Sequence, residues 1–202
     1  MATKRLGTGI RRDQIAEAAL EIVRSKGTRG LSVAAVAKKV GIVPSAVYRH
    51  FRNKDDIVTA VLQLIQSRLN ANFQAVKHQE IDALDKLHRL LHHHIELIAG
   101  NNAIPRIVFS EEVLGGMPEK QAELYAIIQD VLSHVAAIVG DAQSVGAVRK
   151  DLSPEDVAVA FFGMIQPAAI IWHLSGGAFD LKHHAESAWR LFYDAVRVRG
   201  EP

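Results

Sequence analysis

The stretch VGIVPSAVYRHF, residues 40–51, combines a turn with a short helix whose two sides differ in chemistry. Gly41 permits a left-handed turn, and Pro44 suits the first position of a helix, where a missing N–H costs nothing. Val47 and Phe51 are four residues apart, so they share one apolar face of that helix. The other side chains are small or are hydrogen-bond donors. Two short helices joined by such a turn predict a helix-turn-helix.

The rest of the chain predicts helices as well. Apolar residues recur at three- and four-residue spacing, and no stretch of useful length alternates as a strand would. The 202 residues are 49% apolar and 23% charged and include no cysteine, which excludes disulfides and thiolate metal sites. We predict an all-α fold of about nine helices, near residues 11–26, 33–40, 44–51, 54–73, 80–99, 103–114, 118–139, 153–174 and 180–198.

Membrane insertion is not expected. No signal peptide is visible, because the N-terminus MATKRLGTGIRRDQ has no apolar core. The longest apolar run, residues 157–174, is interrupted by Gln166 and Pro167, and we interpret it as a buried helix.

Charge is divided unevenly along the chain. Residues 1–60 contain 12 Lys or Arg and 5 Asp or Glu, whereas the remainder contains 12 and 17. A basic N-terminal part beside an acidic body is typical of a protein whose head meets an anion. DNA is the anion that a helix-turn-helix predicts.

The second helix of a helix-turn-helix lies in the major groove, with its N-terminal residues at base edges. Ser45 and Ala46 are small, so that end of the helix can approach DNA closely. Arg49 is long enough to donate two hydrogen bonds to a guanine. Further donors within reach of phosphates are Tyr48, His50 and Lys54.

Residues 11–62 resemble the DNA-binding domain of the tetracycline-repressor (TetR) family of bacterial regulators. The matching segments are IAEAALEIVRSKG and LSVAAVAKKVGIVPSAVYRHFRNKDDIV. Tyr48, Phe51 and Lys54 stand where that family has a Tyr and a Phe in the third helix and a Lys opening the fourth. Beyond this segment the chain shares the family's length and all-helical pattern. The resemblance implies a DNA-binding domain over residues 1–53 and an effector-binding and dimerisation domain over residues 54–202.

The resemblance also assigns roles in DNA binding. Ser45 and Arg49 are expected to read bases, Ala34 to touch a thymine methyl, and Ala46 to allow close approach. Phosphate contacts are expected from Ser32, Tyr48, His50 and Lys54. Basic residues of the N-terminal arm and first helix are expected at phosphates or in the minor groove, namely Lys4, Arg5, Arg11 and Arg12.

The remainder of the chain is expected to form a homodimer and to bind a small effector. The resemblance implies a cytoplasmic bacterial repressor on a two-fold operator, with no required cofactor and an unidentified apolar or amphipathic ligand. Candidate dimer residues are Phe161, Ile165, Ile170, Trp189 and Phe192. Candidate ligand-binding residues are His94, Phe109, Leu132, His134, Met164, Gln166, Trp172 and His173.

The histidine-rich run HRLLHHH, residues 88–94, suggests a different function. His88 and His92 are four residues apart and could share one metal ion, with Glu111 or Glu112 completing the site. Helical projection places His88 and His94 on opposite flanks of the apolar stripe, so the histidines cannot all serve one ion. We predict no metal site, and we keep a metal-responsive regulator as an alternative.

Two further alternatives remain at this point. A metal-dependent helical enzyme is one, although the sequence has no HExxH, no GxSxG, no glycine-rich phosphate loop and no cysteine nucleophile. We therefore predict that the protein is not an enzyme. A DNA-binding protein without an effector, acting as an architectural protein or a constitutive repressor, is the other.

Overall fold

A computed structural model describes residues 8–115 and 118–198. Within these residues the chain forms ten α-helices, one short 3-10 helix at Thr28–Gly30 and no β-strand. The predicted all-α fold is therefore confirmed. The helices are α1 Thr8–Lys26, α2 Val33–Val40, α3 Pro44–Tyr48, α4 Lys54–Lys77, α5 Ala83–Gly100, α6 Ala103–Val108, α7 Glu111–Leu114, α8 Pro118–Ser144, α9 Pro154–Leu174 and α10 Leu181–Val196.

Local signals set the ends of the DNA-binding helices. The Ser32 hydroxyl accepts a hydrogen bond from the Ala35 N–H at 3.1 Å and so caps α2. Gly41 ends α2 in the left-handed region, at φ 75°, where a side chain would be strained. Pro44 occupies the first turn of α3. The turn between α2 and α3 therefore follows directly from the sequence.

One predicted helix is in fact two. The segment 103–114 is divided at Ser110, whose backbone is extended (φ −72°, ψ 156°) and therefore cannot continue α6. Serine favours the position before a helix, and acidic residues at Glu111 and Glu112 favour a first turn, so a new helix starts there. This division raises the number of helices from nine to ten.

Packing divides the chain into two units. The first contains the described residues up to Ser67 together with Asn101–Tyr125. The second contains Arg68–Gly100 and the described residues from Ala126 onward. The expected boundary between the DNA-binding domain and the effector-binding domain, at residues 53 and 54, concerns function and not packing, and it stays a prediction.

Two helices, α8 and α9, are long and apolar enough to cross a membrane by length and composition. Only 28% and 33% of their most apolar windows are buried within the chain. Length and composition are weak grounds for a membrane span, because core helices of globular proteins meet the same test. Several large apolar residues of α9 are exposed, namely Val159, Ile170, Ile171 and Leu174.

Candidate nucleic-acid interface and helical body

The segment 44–51 has the two chemically different sides that the sequence predicts, but α3 itself ends at Tyr48 and not at residue 51. Val47 and Phe51 are buried to 0% and 1% exposure and hold the segment in the core of the first unit. Tyr48 is 56% exposed, and Ser45 and Arg49 are exposed beside it. The anchored apolar side leaves a short helix end whose free face carries a hydroxyl, a phenol and a guanidinium. Such a surface can donate to base edges and phosphates.

Arg12 has a structural role that sequence reasoning did not find. Its guanidinium donates to the His50 carbonyl at 3.1 Å and lies 4.7 Å from the centre of the Phe51 ring. A cation at this place satisfies a carbonyl just after the end of α3. Arg12 therefore holds the segment 44–51 in place from α1, independently of any contact that it makes with DNA.

Lys54 is already engaged within the first unit. Its ammonium group donates to the Thr28 carbonyl at 3.1 Å and to Glu112 Oε1 at 2.8 Å. Only 32% of its side chain is exposed. An ammonium has three donors, so at most one remains for a phosphate.

The other predicted DNA-binding residues are placed as follows. Ser32 and Ala34 are exposed at the start of α2, and the Ser32 hydroxyl can still donate while it caps the helix. Ala46, His50 and Arg11 are half-buried, and Arg11 donates to Gln14 at 3.2 Å. Lys4 and Arg5 lie outside the described residues.

Two further cations connect the DNA-binding helices to α6 and α8 inside the first unit. Arg106 on α6 donates to the carbonyls of Val23 and Arg24 at the end of α1, at 3.4 and 3.2 Å. Lys120, at 4% exposure, pairs with Asp55 in the first turn of α4. These partners are far apart in sequence, so no local pattern announces the contacts. Together with the Lys54–Glu112 pair they hold the end of α1 and the first turn of α4 against α6, α7 and the start of α8.

The candidate ligand-binding residues have different immediate surroundings in the structure. Leu132 lines an open groove of about 510 Å³ between α8 and α9, together with Ala136 and Val159. His134, two positions further along α8, instead stacks on Phe73 at 4.6 Å. Phe109 belongs to the first unit and is 38% exposed. The half-buried candidates on α9 are Met164, Gln166, Trp172 and His173.

His94 is the buried member of the candidate ligand set, at 9% exposure on α5. Burial lowers the pKa of its imidazole to about 4, because a charged ring would lose its hydration. His94 is therefore neutral near pH 7.

Four of the five candidate dimer residues lie in the core of the protomer. Phe161, Ile165, Trp189 and Phe192 are between 1% and 9% exposed, and the Phe161 and Phe192 rings meet edge to face at 5.7 Å. Large apolar side chains on α9 and α10 therefore pack these two helices against each other. Only Ile170, at 38% exposure, also presents surface to a partner. Other exposed apolar residues on α9 are Val159, Ile171 and Leu174.

Comparison with known proteins gives two family matches. The family described as bacterial regulatory proteins, tetR family, matches residues 15–61, and the tetracyclin repressor-like C-terminal domain matches residues 80–196. The first match contains the helix-turn-helix, and the second contains α5–α10.

Similar proteins include two regulators and a solved structure. The fatty acid metabolism regulator protein of Bacillus subtilis is 22% identical over 91% of this chain and 94% of its own length. The HTH-type transcriptional regulator TtgR of Pseudomonas putida is 26% identical, over 93% and 91% respectively. The crystal structure of the regulator FadR from Bacillus subtilis in complex with stearoyl-CoA shares the fold, with a TM-score of 0.79, 22% identity and coverage of 92% and 99%.

Proposed function

The chain belongs to the tetR family of bacterial regulatory proteins and is a DNA-binding transcriptional regulator, and we propose that it is a homodimeric repressor released by an amphipathic effector. The observation that carries this proposal is the exposed donor face of α3. Ser45, Tyr48 and Arg49 stand free there, while Val47 and Phe51 anchor the opposite side. A rigid, donor-rich helix end is what specific readout of a major groove requires.

A second copy of the chain is the proposed partner of α8 and α9. One helix-turn-helix contacts a single half-site, so tight specific binding needs two. The exposed apolar residues of α9 include Val159 and Ile170, which are eleven residues apart and so share one helix face. The open groove beside Val159 is lined on α8 by small side chains such as Ala136 and Ala137. A partner's helix can approach such a groove closely.

The proposed effector is a molecule with a long apolar chain and a polar head, of the acyl-CoA class. The Bacillus subtilis regulator crystallised with stearoyl-CoA has the same fold over nearly its whole length. The effector would favour a conformer of the dimer in which the distance between the two DNA-binding domains no longer matches the spacing of the half-sites. A coupling of about 1–3 kcal/mol between effector and DNA is enough to release an operator.

A selection of genome fragments with the purified protein tests DNA binding. The selection is run at one near-physiological salt concentration, because phosphate contacts make affinity salt-dependent. We expect a single palindromic motif whose half-sites lie about one helical turn apart. Sequence-independent capture, equal for genomic and random fragments, would contradict the repressor proposal.

The dimer is tested by sedimentation of the free protein. We expect a dimer that Val159→Glu and Ile170→Glu each dissociate, because a carboxylate on an apolar interface loses its hydration. The matched control is Val43→Glu, which places the same charge on a valine that is 64% exposed in the first unit. A monomeric parent protein, or equal behaviour of all three variants, would refute this interface.

The effector is tested on the complex with the recovered operator. We expect stearoyl-CoA to weaken DNA binding and free CoA to leave it unchanged, since the apolar chain supplies most of the binding energy. If neither molecule changes DNA affinity while the palindrome is bound, the acyl effector is wrong and a constitutive repressor is favoured.

A further inference from the structure

We propose that His88, His92 and Glu186 form a zinc site that joins α5 to α10. Glu111 or Glu112 was the predicted third ligand, and the structure instead places Glu186 beside the two histidines. Glu112 pairs with Lys54 in the first unit, whereas Glu186 stands beside the histidines in the second. The site uses residues that neither DNA binding nor the proposed dimer requires.

The three ligand groups lie about as far apart as the ligands of a tetrahedral zinc, and Glu186 meets the two histidines with different carboxylate oxygens. The Nε2 atoms of His88 and His92 are 3.1 Å apart. Glu186 places Oε1 at 2.8 Å from His92 Nε2 and Oε2 at 3.5 Å from His88 Nε2. Two ligands of a tetrahedral zinc lie about 3.3 Å apart, because each stands about 2.0–2.1 Å from the ion. A small shift of the three side chains would therefore admit the ion at their centre.

The ligand set fits zinc chemically. Histidines at i and i+4 present two imidazole nitrogens from one helix turn, and a carboxylate from a second helix supplies a charge-neutralising oxygen. Two imidazoles and one carboxylate leave a fourth position for water or another ligand. The side chains are between 31% and 41% exposed, so an ion can reach them from solvent.

The surroundings hold the first histidine in place. The His88 ring stacks on the Trp189 indole, with 4.7 Å between the ring centres and 17° between the planes. Trp189 is largely buried on α10, one helical turn after Glu186 along the same helix. A packed ring of this kind limits the freedom that His88 would lose on binding an ion. It also places an indole next to the site, where it can report on occupancy.

A bound zinc ion would cross-link two helices that are distant in sequence. Its binding energy adds to the stability of the folded second unit, because the unfolded chain does not hold the three ligands together. Zinc would therefore strengthen the packing of α10 on α5.

The test uses the full chain, freed of any histidine tag and carrying Trp172→Phe. This background leaves Trp189 as the single tryptophan, since the chain has two. ZnCl2 is titrated while Trp189 fluorescence is followed, and calorimetry on the wild-type chain gives the stoichiometry. We expect one zinc per chain, a change in Trp189 fluorescence on binding, and a higher melting temperature. Cobalt bound in place of zinc should give the visible absorption of a tetrahedral site.

Removing one ligand separates the zinc site from a simple hydrogen-bonded cluster. We expect His92→Ala and Glu186→Gln each to weaken zinc binding by at least about tenfold. His93→Ala removes the neighbouring histidine and should bind zinc like the wild type. Melting without zinc checks that each variant is folded. Absence of zinc binding, or equal affinity in all variants, overturns the proposal, because any zinc is then held elsewhere among the ten histidines.

Discussion

Segment 44–51 of the first unit and helix α5 of the second unit both carry several polar side chains close together. The two regions differ in whether those side chains have partners within the chain. Tyr48, the last residue of α3, and Arg49, which follows it, are exposed. On α5, His88 and His92 face Glu186 of α10, and His94 is buried. The polar side chains of segment 44–51 are therefore available to bind another molecule, whereas these histidines of α5 are buried or contact side chains of α10.

The largest expected effect tests whether α3 is held by its buried side alone. Phe51→Ala removes a ring that is 1% exposed and that also carries the Arg12 guanidinium. We expect a loss of about 3–5 kcal/mol in the free energy of unfolding of the first unit. The measurement is hydrogen exchange of the α1–α3 amides, since the two units need not unfold together. Tyr48→Ala, on the exposed side, should change stability by less than about 0.5 kcal/mol.

The second prediction concerns His94, the buried histidine of α5. The pKa of His94 falls from 6.5 in the unfolded chain to about 4 in the folded protein. Between these values the unfolded chain binds the proton and the folded protein does not, so stability falls as the pH falls through this window. The loss reaches about 2 kcal/mol at pH 5 and levels off below the folded pKa.

His94→Leu should remove that part of the pH dependence. We expect the free energy of unfolding in urea to decrease between pH 7.5 and pH 5 by about 2 kcal/mol less than in the wild type. His93→Leu, on the same helix but half-buried, is the control. A wild-type pH profile in His94→Leu would mean that His94 is not held neutral by burial.

How far the sequence predicts each region depends on the range of the contacts. The Gly41 turn and the start of α3 at Pro44 are predicted from residues close together in the sequence, and the structure has both. Glu186 joins His88 only because α10 packs on α5, and no periodicity in either segment contains that fact. A fold must be known before such a partner can be named.

The apolar residues of α9 and α10 illustrate a second limit. Composition shows that Phe161, Trp189 and Ile170 will be covered, but a protomer core and a dimer interface require the same chemistry. The structure places Phe161 and Trp189 in the protomer core and leaves Ile170 partly exposed, so Ile170 is the one of the three that is available to the proposed dimer. The break in the helix at Ser110 was not predicted, because the apolar spacing continues across it.

The third prediction tests the exposed side of α3 directly. Arg49→Ala should cost about 1–3 kcal/mol on the recovered operator and relax its specificity at one base position. Arg52→Ala is the control, because this arginine is close in sequence but lies beyond α3 and pairs with Asp56. The measurement is the affinity for operator and for random DNA at one salt concentration. Equal weakening on both would make Arg49 a phosphate contact.

The smallest expected effect concerns Lys54, which belongs to both sides of the comparison. It is predicted to contact a phosphate, yet it is paired with Glu112 in the first unit. Burial by itself would raise the pKa of Glu112, but the hydrogen bond and charge of Lys54, together with a backbone N–H hydrogen bond, outweigh it and hold the pKa below 4.5. The pair's contribution is therefore present above pH 4.5 and is lost as the pH falls through the folded pKa.

Glu112→Gln should thus lower the free energy of unfolding by about 1 kcal/mol at pH 7, and the difference from the wild type should shrink in acid. Glu111→Gln, at the exposed neighbouring position, should have no such effect. The salt dependence of operator binding then decides what Lys54 does. If Lys54→Ala reduces the salt slope by about one, the ammonium reaches a phosphate. If the slope is unchanged while stability falls, Lys54 belongs with the internally paired residues and leaves the predicted set of phosphate contacts.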